Sequence, residues 1–463
     1  MRVLPLVFLA ALACSCTEPA PPPPASVWSP GVMYPSEPTI FRGHLDVRGL
    51  IHAHSVFSHD ACDGEPIDDA GVRDPVCFED FRRGLCQSKH DFVFLTDHRD
   101  SFNDIEFPEA LLFREELGDS LIKHDGLPTA NLAACDDGRT TLIMAGSEAG
   151  MMPVGLEKHA APHDERNALY GERTAEAAAA LHEAGAVILL AHPEDFTADE
   201  LFAMPLDGFE MYNLHANTVL GATVALDFLL RVSEDEPIPH PDLLIASMWS
   251  EDARYLERWG RVLARGKHVV STMGTDCHRN TFRTILPDGE RVDSYRRMMI
   301  AFSNHLRVRT NADGVVDDRS LKEALAAGRN WGAFEMLGHP VGYDAFARSD
   351  GASAQTFEMG DVVPVGATLT VKRPSIKGLD AARESPVLTV RVLRAVDEAT
   401  GFVEVARASE GDLDVPLTQA GAYRAEVRMI PHHLREDFND DANAILQEGR
   451  DFVWIYGGTF TVQ

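Results

Sequence analysis

From about Phe41 the chain alternates short apolar runs with amphipathic stretches. Val47–His52, Phe92–Thr96, Thr141–Ala145, Ala186–Ala191, Gly208–Tyr212 and His268–Met273 read as strands, and Thr174–Ala184 and Glu251–Arg265 as helices. Short apolar runs bounded by polar turns fit buried strands, and their alternation with helices predicts a parallel sheet with helical crossovers. The number of units predicts an α/β barrel whose last helix is Leu321–Gly328, with Gly328 as its cap. Two long stretches break the repeat, Arg99–Arg139 and Leu214–Ser247, and are expected to wall or cover a site. After about Asp350 the texture changes. Thr368–Lys372, Val387–Val392, Gly401–Ala408, Ala422–Val427 and Phe452–Val462 read as strands between Gly, Asp and Pro turns. This predicts a small all-β, immunoglobulin-like sandwich over 350–463, in which His432-His433 is a surface pair.

The N-terminus carries a different pattern. Met1-Arg2 precedes an apolar run, Val3 to Ala13, too short to span a bilayer and suited to a secretory signal. The run ends in Leu12-Ala13-Cys14-Ser15-Cys16-Thr17, which resembles a bacterial lipoprotein cleavage site. Residues 1–16 are therefore expected to be a lipoprotein signal peptide, with Cys14 favoured over Cys16 as the lipidated residue; an unlipidated signal is the alternative. Residues 17–43, including Pro21-Pro22-Pro23-Pro24, form a Pro/Ala-rich tether. No later segment approaches the ~20 apolar residues of a membrane helix, so membrane attachment is expected only through an N-terminal lipid. The expected location is the periplasm or cell surface of a bacterium. Export permits disulfides, and Cys62, Cys77, Cys86, Cys135 and Cys277 follow the leader. Five is odd, so at least one stays free or pairs elsewhere. A bridge among Cys62, Cys77 and Cys86 would staple the loop after the first His pair, while Cys277 reads as buried filler.

The net charge of −30 argues against nucleic acid or anionic lipid as a partner, since phosphate surfaces need clustered Lys and Arg. With 45% apolar and 25% charged residues in a chain of 463, a packed core in more than one domain is expected.

The candidate chemistry lies where the apolar runs end. His52-Ala-His54 ends the first strand, Asp97-His98 the second, Glu148 the third, His192 the fourth, and Asp276-Cys-His278 the sixth. At i, i+2 spacing two strand residues share a face, so each pair is expected to reach one ion. Imidazole and carboxylate together suit Zn, Mn or Fe. Single His pairs are usually structural, whereas an ordered series at strand exits points to one polynuclear metal site. On barrels of this kind such groups gather at the C-terminal strand ends.

The series HxH, TDH, GxE, a later His, AHP and GTDxH resembles the PHP (polymerase and histidinol phosphatase) domain of metal-dependent phosphoesterases, over roughly residues 44–345. The resemblance implies a distorted (βα)7 TIM-like barrel holding two or three divalent transition-metal ions. It makes His52, His54, His98, Glu148, His159, His192, Asp276 and His278 ligands, with Glu148 bridging two ions. A further ligand is expected five or six positions after His54, where His59 and Asp60 both qualify and Asp60 is preferred. The family's usual Asp two positions before the first His is Leu50 here. Catalytic roles fall on Glu148, His278 and Asp97, the last as a supporting carboxylate. Glu210, Tyr212 and Asn213 are expected to line the pocket, and Arg99, His163 and His215 to bind substrate or donate a proton from site-side loops.

The activity implied is hydrolysis of a small-molecule ester, a phosphoester first, by water that paired cations acidify near neutral pH. No Gly-x-Ser-x-Gly elbow or phosphate-cradling glycine loop occurs. Signal, barrel and β-rich end together are similar to exported PHP metallohydrolases of the carbaryl-hydrolase-like group, so carbamate or amide cleavage is the alternative. A non-catalytic surface-binding lipoprotein is the third reading.

Overall fold

The computed structural model describes residues 27–463 apart from 218–222, 224, 225, 231–238, 250, 441, 447 and 448. The expected signal peptide with Cys14, the start of the expected tether and parts of Leu214–Ser247 lie outside the described residues. Among the described residues no helix is long and apolar enough to cross a membrane.

In chain order, β1 (His44–Ala53), α1 (Pro75–Ser88) and β2 (Phe92–Leu95) precede a hairpin, β3 (Ser120–His124) and β4 (Leu127–Ala134). Next come β5 (Thr140–Glu148), β6 (Met152–Leu156), α2 (His163–Gly171), α3 (Ala175–Glu183) and β7 (Val187–Leu189). Then follow β8 (Gly208–Asn213), α4 (Ala253–Ala264), β9 (Val270–Cys277), β10 (Ser303–Val308), α5 (Asp318–Ala326) and β11 (Asn330–Ala333). Local chemistry starts the helices where they begin. Asp74 accepts from the Val76 and Cys77 amides with Pro75 in the first turn of α1, Thr174 caps α3 and Asp252 caps α4.

Five strands pair in parallel in the order β8-β9-β1-β2-β5, so their C-terminal ends lie along one rim. Leu50, Ile51, Val93, Phe94, Ile143 and Met144 are fully buried, as a sheet covered on both faces requires. The parallel α/β part matches the expectation, but the closed (βα)7 barrel does not form as a continuous ladder. Only three residues, 149–151, join β5 to β6, too few for a helical crossover, so β6 turns back antiparallel and pairs with β7 in the same sense. The three-residue β7 then meets β8 through two backbone bonds, Asp207 N to Ile188 O (2.9 Å) and Glu210 N to Leu190 O (3.1 Å), without registered pairing. The stretch 99–139, expected as a wall or lid, contains the β3–β4 hairpin, which extends the sheet by pairing with β5.

The C-terminal strands are β12 (Asp344–Arg348), β13 (Thr368–Lys372), β14 (Val387–Ala395), β15 (Phe402–Ala408), β16 (Leu413–Pro416), β17 (Gly421–Ile430) and β18 (Phe452–Val462). They pair antiparallel in two sheets, β15-β14-β17-β18 and β12-β13-β16. The first is continuous with the N-terminal sheet, because β18 pairs with β11 (Gly332↔Tyr456, Ala333↔Ile455). α4 also packs closely on this part: a Cβ at Gly260 would lie 1.8 Å from the Gly401 carbonyl oxygen. His432-His433 is not a surface pair. His433 is buried, with Nε2 2.8 Å from Leu337 O and its ring beside Trp28, whereas His432 pairs with Glu384.

Candidate metal centre

The ligand-like residues meet on the rim formed by the strand ends, and the backbone there departs from ideal strand geometry to aim them. His52 is an extra residue in β1, between Ile51 and Ala53, which face consecutive residues of β2. It has φ 71°, while His192 and Asp276 have φ 52° and 51°. Left-handed backbone costs a non-glycine residue about 1–3 kcal/mol and persists where surrounding structure enforces it, often at functional sites. The bulge re-aims His52 so that its Nε2 meets His54 Nε2 at 3.2 Å over the rim. Each histidine is drawn into its own four-residue group while the two Nε2 atoms stay in reach of each other, and Asp276 and His278 fall in different four-residue groups but share a third with His215.

One group is His52, Glu148, His192 and Asp276; the other is His54, Asp60, His98 and His278. In the first, His52 Nε2 lies 3.3 Å from Asp276 Oδ1 and His192 Nε2 lies 3.2 Å from Glu148 Oε1 and 3.3 Å from Asp276 Oδ2. In the second, His98 Nε2 and His278 Nε2 each stand 3.2 Å from Asp60 Oδ2, and the His54 and His278 rings stack at 3.8 Å. Two carboxylates join the groups. Glu148 turns Oε1 to His192 and Oε2 to His54 (3.2 Å) and His98 (3.4 Å), and Asp276 Oδ1 is also 3.3 Å from His54 Nε2.

These spacings suit a transition metal. Nitrogen and oxygen donors about 2.0–2.1 Å from a tetrahedral ion lie about 3.3 Å from each other. Asp276 Oδ1 and His278 Nε2 are also buried and approach their neighbours without hydrogen-bond geometry, as atoms aimed at a shared ion would. The charge balance agrees. Burial opposes charge on His52, yet Glu210, Asp276 and Glu148 hold it well above the ordinary imidazole range. His192 is likewise raised against burial by Asp276 and Glu148, and Glu148 and Asp276 are held well below the carboxylate range by the facing histidines, His52 first. The clustered carboxylates draw positive charge into a buried site, which divalent cations would supply in place of imidazole protons.

Supporting contacts fix the donors. Glu210, fully buried, accepts at Oε1 from His52 Nδ1 at 2.6 Å, an approach Gly274 permits because a Cβ there would lie 1.9 Å from that oxygen. It supplies the carboxylate for His52 that Leu50 cannot. Ser58 Oγ donates to Asp60 Oδ1 (2.9 Å) and lies 3.2 Å from His54 Nδ1, and Glu194 Oε1 stands 3.2 Å from His192 Nδ1.

No protein-family model matches the chain, and no curated protein matches it. Among solved structures, it is similar to the crystal structure of a two-domain protein containing a predicted PHP-like metal-dependent phosphoesterase from Bacteroides vulgatus. The two are 12% identical with a TM-score of 0.33, over 85% of this chain and 94% of that one.

The remaining expected site residues divide. Asp60 joins the second group, but His59 is exposed and pairs with Asp100. His159 joins neither group: its Nε2 faces Ile105 O (2.8 Å), its Nδ1 faces Tyr170 Oη (3.1 Å), and Phe102 and Phe107 pack on its ring. Asp97 is buried and accepts from the Ser55 amide (2.6 Å) and hydroxyl (2.8 Å), holding the turn after His54. Asn213 is buried beneath the rim, its amide donating to Glu210 (3.1 Å) and Asp276 (3.4 Å). Tyr212 packs edge-on against Phe302 and Phe334 in the core, and His163 pairs with Asp104 at the surface. His215 is half-exposed, with Nδ1 3.5 Å from Asp276 Oδ2.

Two openings flank the centre. A narrow apolar slot bordered by Leu244, Ile245, Phe282, Val292 and Met298 leads past His215, Asp276 and His278. A polar cleft of about 500 Å³ opens on the other side between His98, Glu148, Arg99, Asn167 and Arg173. Glu194 and Arg173 are additions to the residues expected from sequence. Glu194, two positions after His192, carried a readable signal in that spacing; Arg173 lay in no motif.

Proposed function

We propose that the chain is a metal-dependent hydrolase of the PHP class, a phosphoesterase working at a centre of two or three divalent ions, Zn, Mn or Fe. The observation that carries this reading is the pair of facing donor groups joined by both oxygens of Glu148 and of Asp276. His52, Glu148, His192 and Asp276 would hold one cation, and His54, Asp60, His98 and His278 a second, with His215 the donor open to a third. Bound cations supply an acidified water and offset charge building on the attacked atom. The chain's own residues do the rest. Glu148 and Asp276 set the spacing of the two groups, and Glu210 keeps His52 Nε2 turned inward. His215, on the slot side, is left to protonate the leaving oxygen when no third cation occupies it.

A second reading, cleavage of a carbamate or amide, is favoured by the apolar lining of the slot, which suits an uncharged substrate portion. Export as a lipoprotein with 350–463 as an appended β unit belongs to the same proposal. The disulfides Cys62–Cys77 and Cys86–Cys135 support an oxidising compartment.

The test is metal content and turnover together. Protein loaded with Zn, Mn or Fe should hold two to three ions per chain and hydrolyse one of nitrophenyl phosphate, bis-nitrophenyl phosphate or naphthyl carbamate. His52→Ala and Asp276→Ala should lose metal and activity in step. Less than one ion per chain after loading overturns the proposal.

A further inference from the structure

The polar cleft beside Glu148 holds two guanidinium groups in a chain with 42 basic against 72 acidic residues. In so acidic a protein an arginine side chain ordinarily finds a carboxylate. Arg99 and Arg173 do not: among the described residues neither forms an ion pair. The Arg99 guanidinium reaches only the Asn167 carbonyl, at 3.5 Å, and Arg173 spends its Nε–H on the Gly150 carbonyl at 2.7 Å while stacking over Phe196. Both side chains are exposed along the cleft, and most of their N–H donors are left to solvent there. The position of Arg99 is built into the fold. Gly171 ends α2 directly beneath it, and a Cβ at that residue would lie 1.9 Å from Arg99 Nη1, so any other side chain there would displace the guanidinium. Gly150, which anchors Arg173, is backed just as closely by Gly171, whose carbonyl oxygen would lie 2.4 Å from an added Cβ.

The reacting group itself belongs over the metal donors, on the other side of Glu148. We propose that the substrate carries a second anionic group, a carboxylate or a phosphate separate from the bond that is cleaved, and that Arg99 and Arg173 bind it as a paired clamp. The planar guanidinium fork matches either anion with two parallel hydrogen bonds, which an ammonium cannot do. This rests on the hydrolase reading above and narrows its substrate class. The two guanidiniums offset the Asp100 and Glu148 carboxylates that line the same cleft, so an anion can approach there in an otherwise acidic protein.

The experiment compares three phosphomonoesters, ethyl phosphate, phosphoglycolate and ethylene glycol bisphosphate, which differ in having no second anion, a carboxylate or a phosphate. Phosphate release is measured on the metal-loaded protein, on Arg99→Gln, Arg173→Gln and the double variant, with thermal unfolding to check the fold. The wild type should favour one or both doubly anionic esters over ethyl phosphate by kcat/KM. That preference ratio should fall about tenfold for each arginine replaced, the loss expected for a charge-assisted hydrogen bond in a cleft open to water. Arg→Lys should restore only part of it. Calorimetric binding of the same three compounds to wild type and double variant gives a readout independent of turnover. If none is hydrolysed but the doubly anionic compounds still bind more tightly and the double variant loses that difference, the clamp stands and the phosphoesterase reading falls. Equal affinities for all three in the wild type, or a preference unchanged in the double variant, overturns the clamp.

Discussion

Asp60, the carboxylate that closes the second donor group, stands two residues before Cys62, which is bridged to Cys77 at the start of α1. Replacing both cysteines by serine should therefore weaken the fold and one metal position together. The bridged residues are 15 apart, and releasing a loop of that length to the unfolded chain costs about 3 kcal/mol. The segment keeps other fastenings: Cys62 N to His278 O and Asp63 N to Arg279 O, both 3.0 Å, and Asn280 Nδ2 to Asp60 O at 2.8 Å. Asp60 should then loosen without leaving. We expect about a tenfold to hundredfold loss of affinity at its cation position, as when a supporting contact is removed. The control is Cys86→Ser with Cys135→Ser. That bridge spans 49 residues and should cost about 4 kcal/mol by the same relation, yet it touches no donor. The assay is urea unfolding by circular dichroism, with midpoints compared between variants because a chain of this size need not unfold in two states. It is paired with metal counts after dialysis against graded chelator. If both variants retain metal equally, the link between the bridge and Asp60 is refuted.

Two further outcomes follow from the geometry. His159→Ala should keep the full metal content and destabilise the packing around Phe102, Phe107 and Tyr170, whereas loss of an ion by elemental analysis would return His159 to the centre. Burial pushes His433 down to about 4, below its ordinary value of 6.5. The unfolded chain thus takes up the proton first, so this contribution is intact above about pH 6.5, is lost as pH falls toward 4, and amounts to about 3 kcal/mol when fully lost. His433→Gln should flatten that part of the stability profile, and midpoints that fall with pH as steeply as in the wild type would show another group responsible.

How far the sequence could be read depended on the reach of each signal. Apolar runs such as Phe92–Leu95 and Val270–Met273 marked strands, and the polar residues closing them marked the rim, because both are local patterns. Asp60 was preferred over His59 and does join the rim. What failed was geometry set by neighbours. Equal spacing could not reveal the bulge at His52, since the extra residue is defined only against β2. His159 looked like a ligand from its distance to Glu148, yet Tyr170 and the Ile105 carbonyl hold it elsewhere. Glu210 read as pocket lining, and its grip on His52 required Gly274 on the adjacent strand. The open ladder at β7 followed from the three-residue turn before β6, whose antiparallel course no hydrophobic period announced.

The pairing of β11 with β18 makes the α/β part and the β-rich part of the polypeptide depend on each other. A chain cut after the last α/β element would leave the backbone of Gly332 and Ala333 unmatched along an apolar margin, an invitation to intermolecular strand addition. The half that carries the donor groups and its β-rich companion would then have to be made, inherited and engineered as one piece, however separate their compositions look.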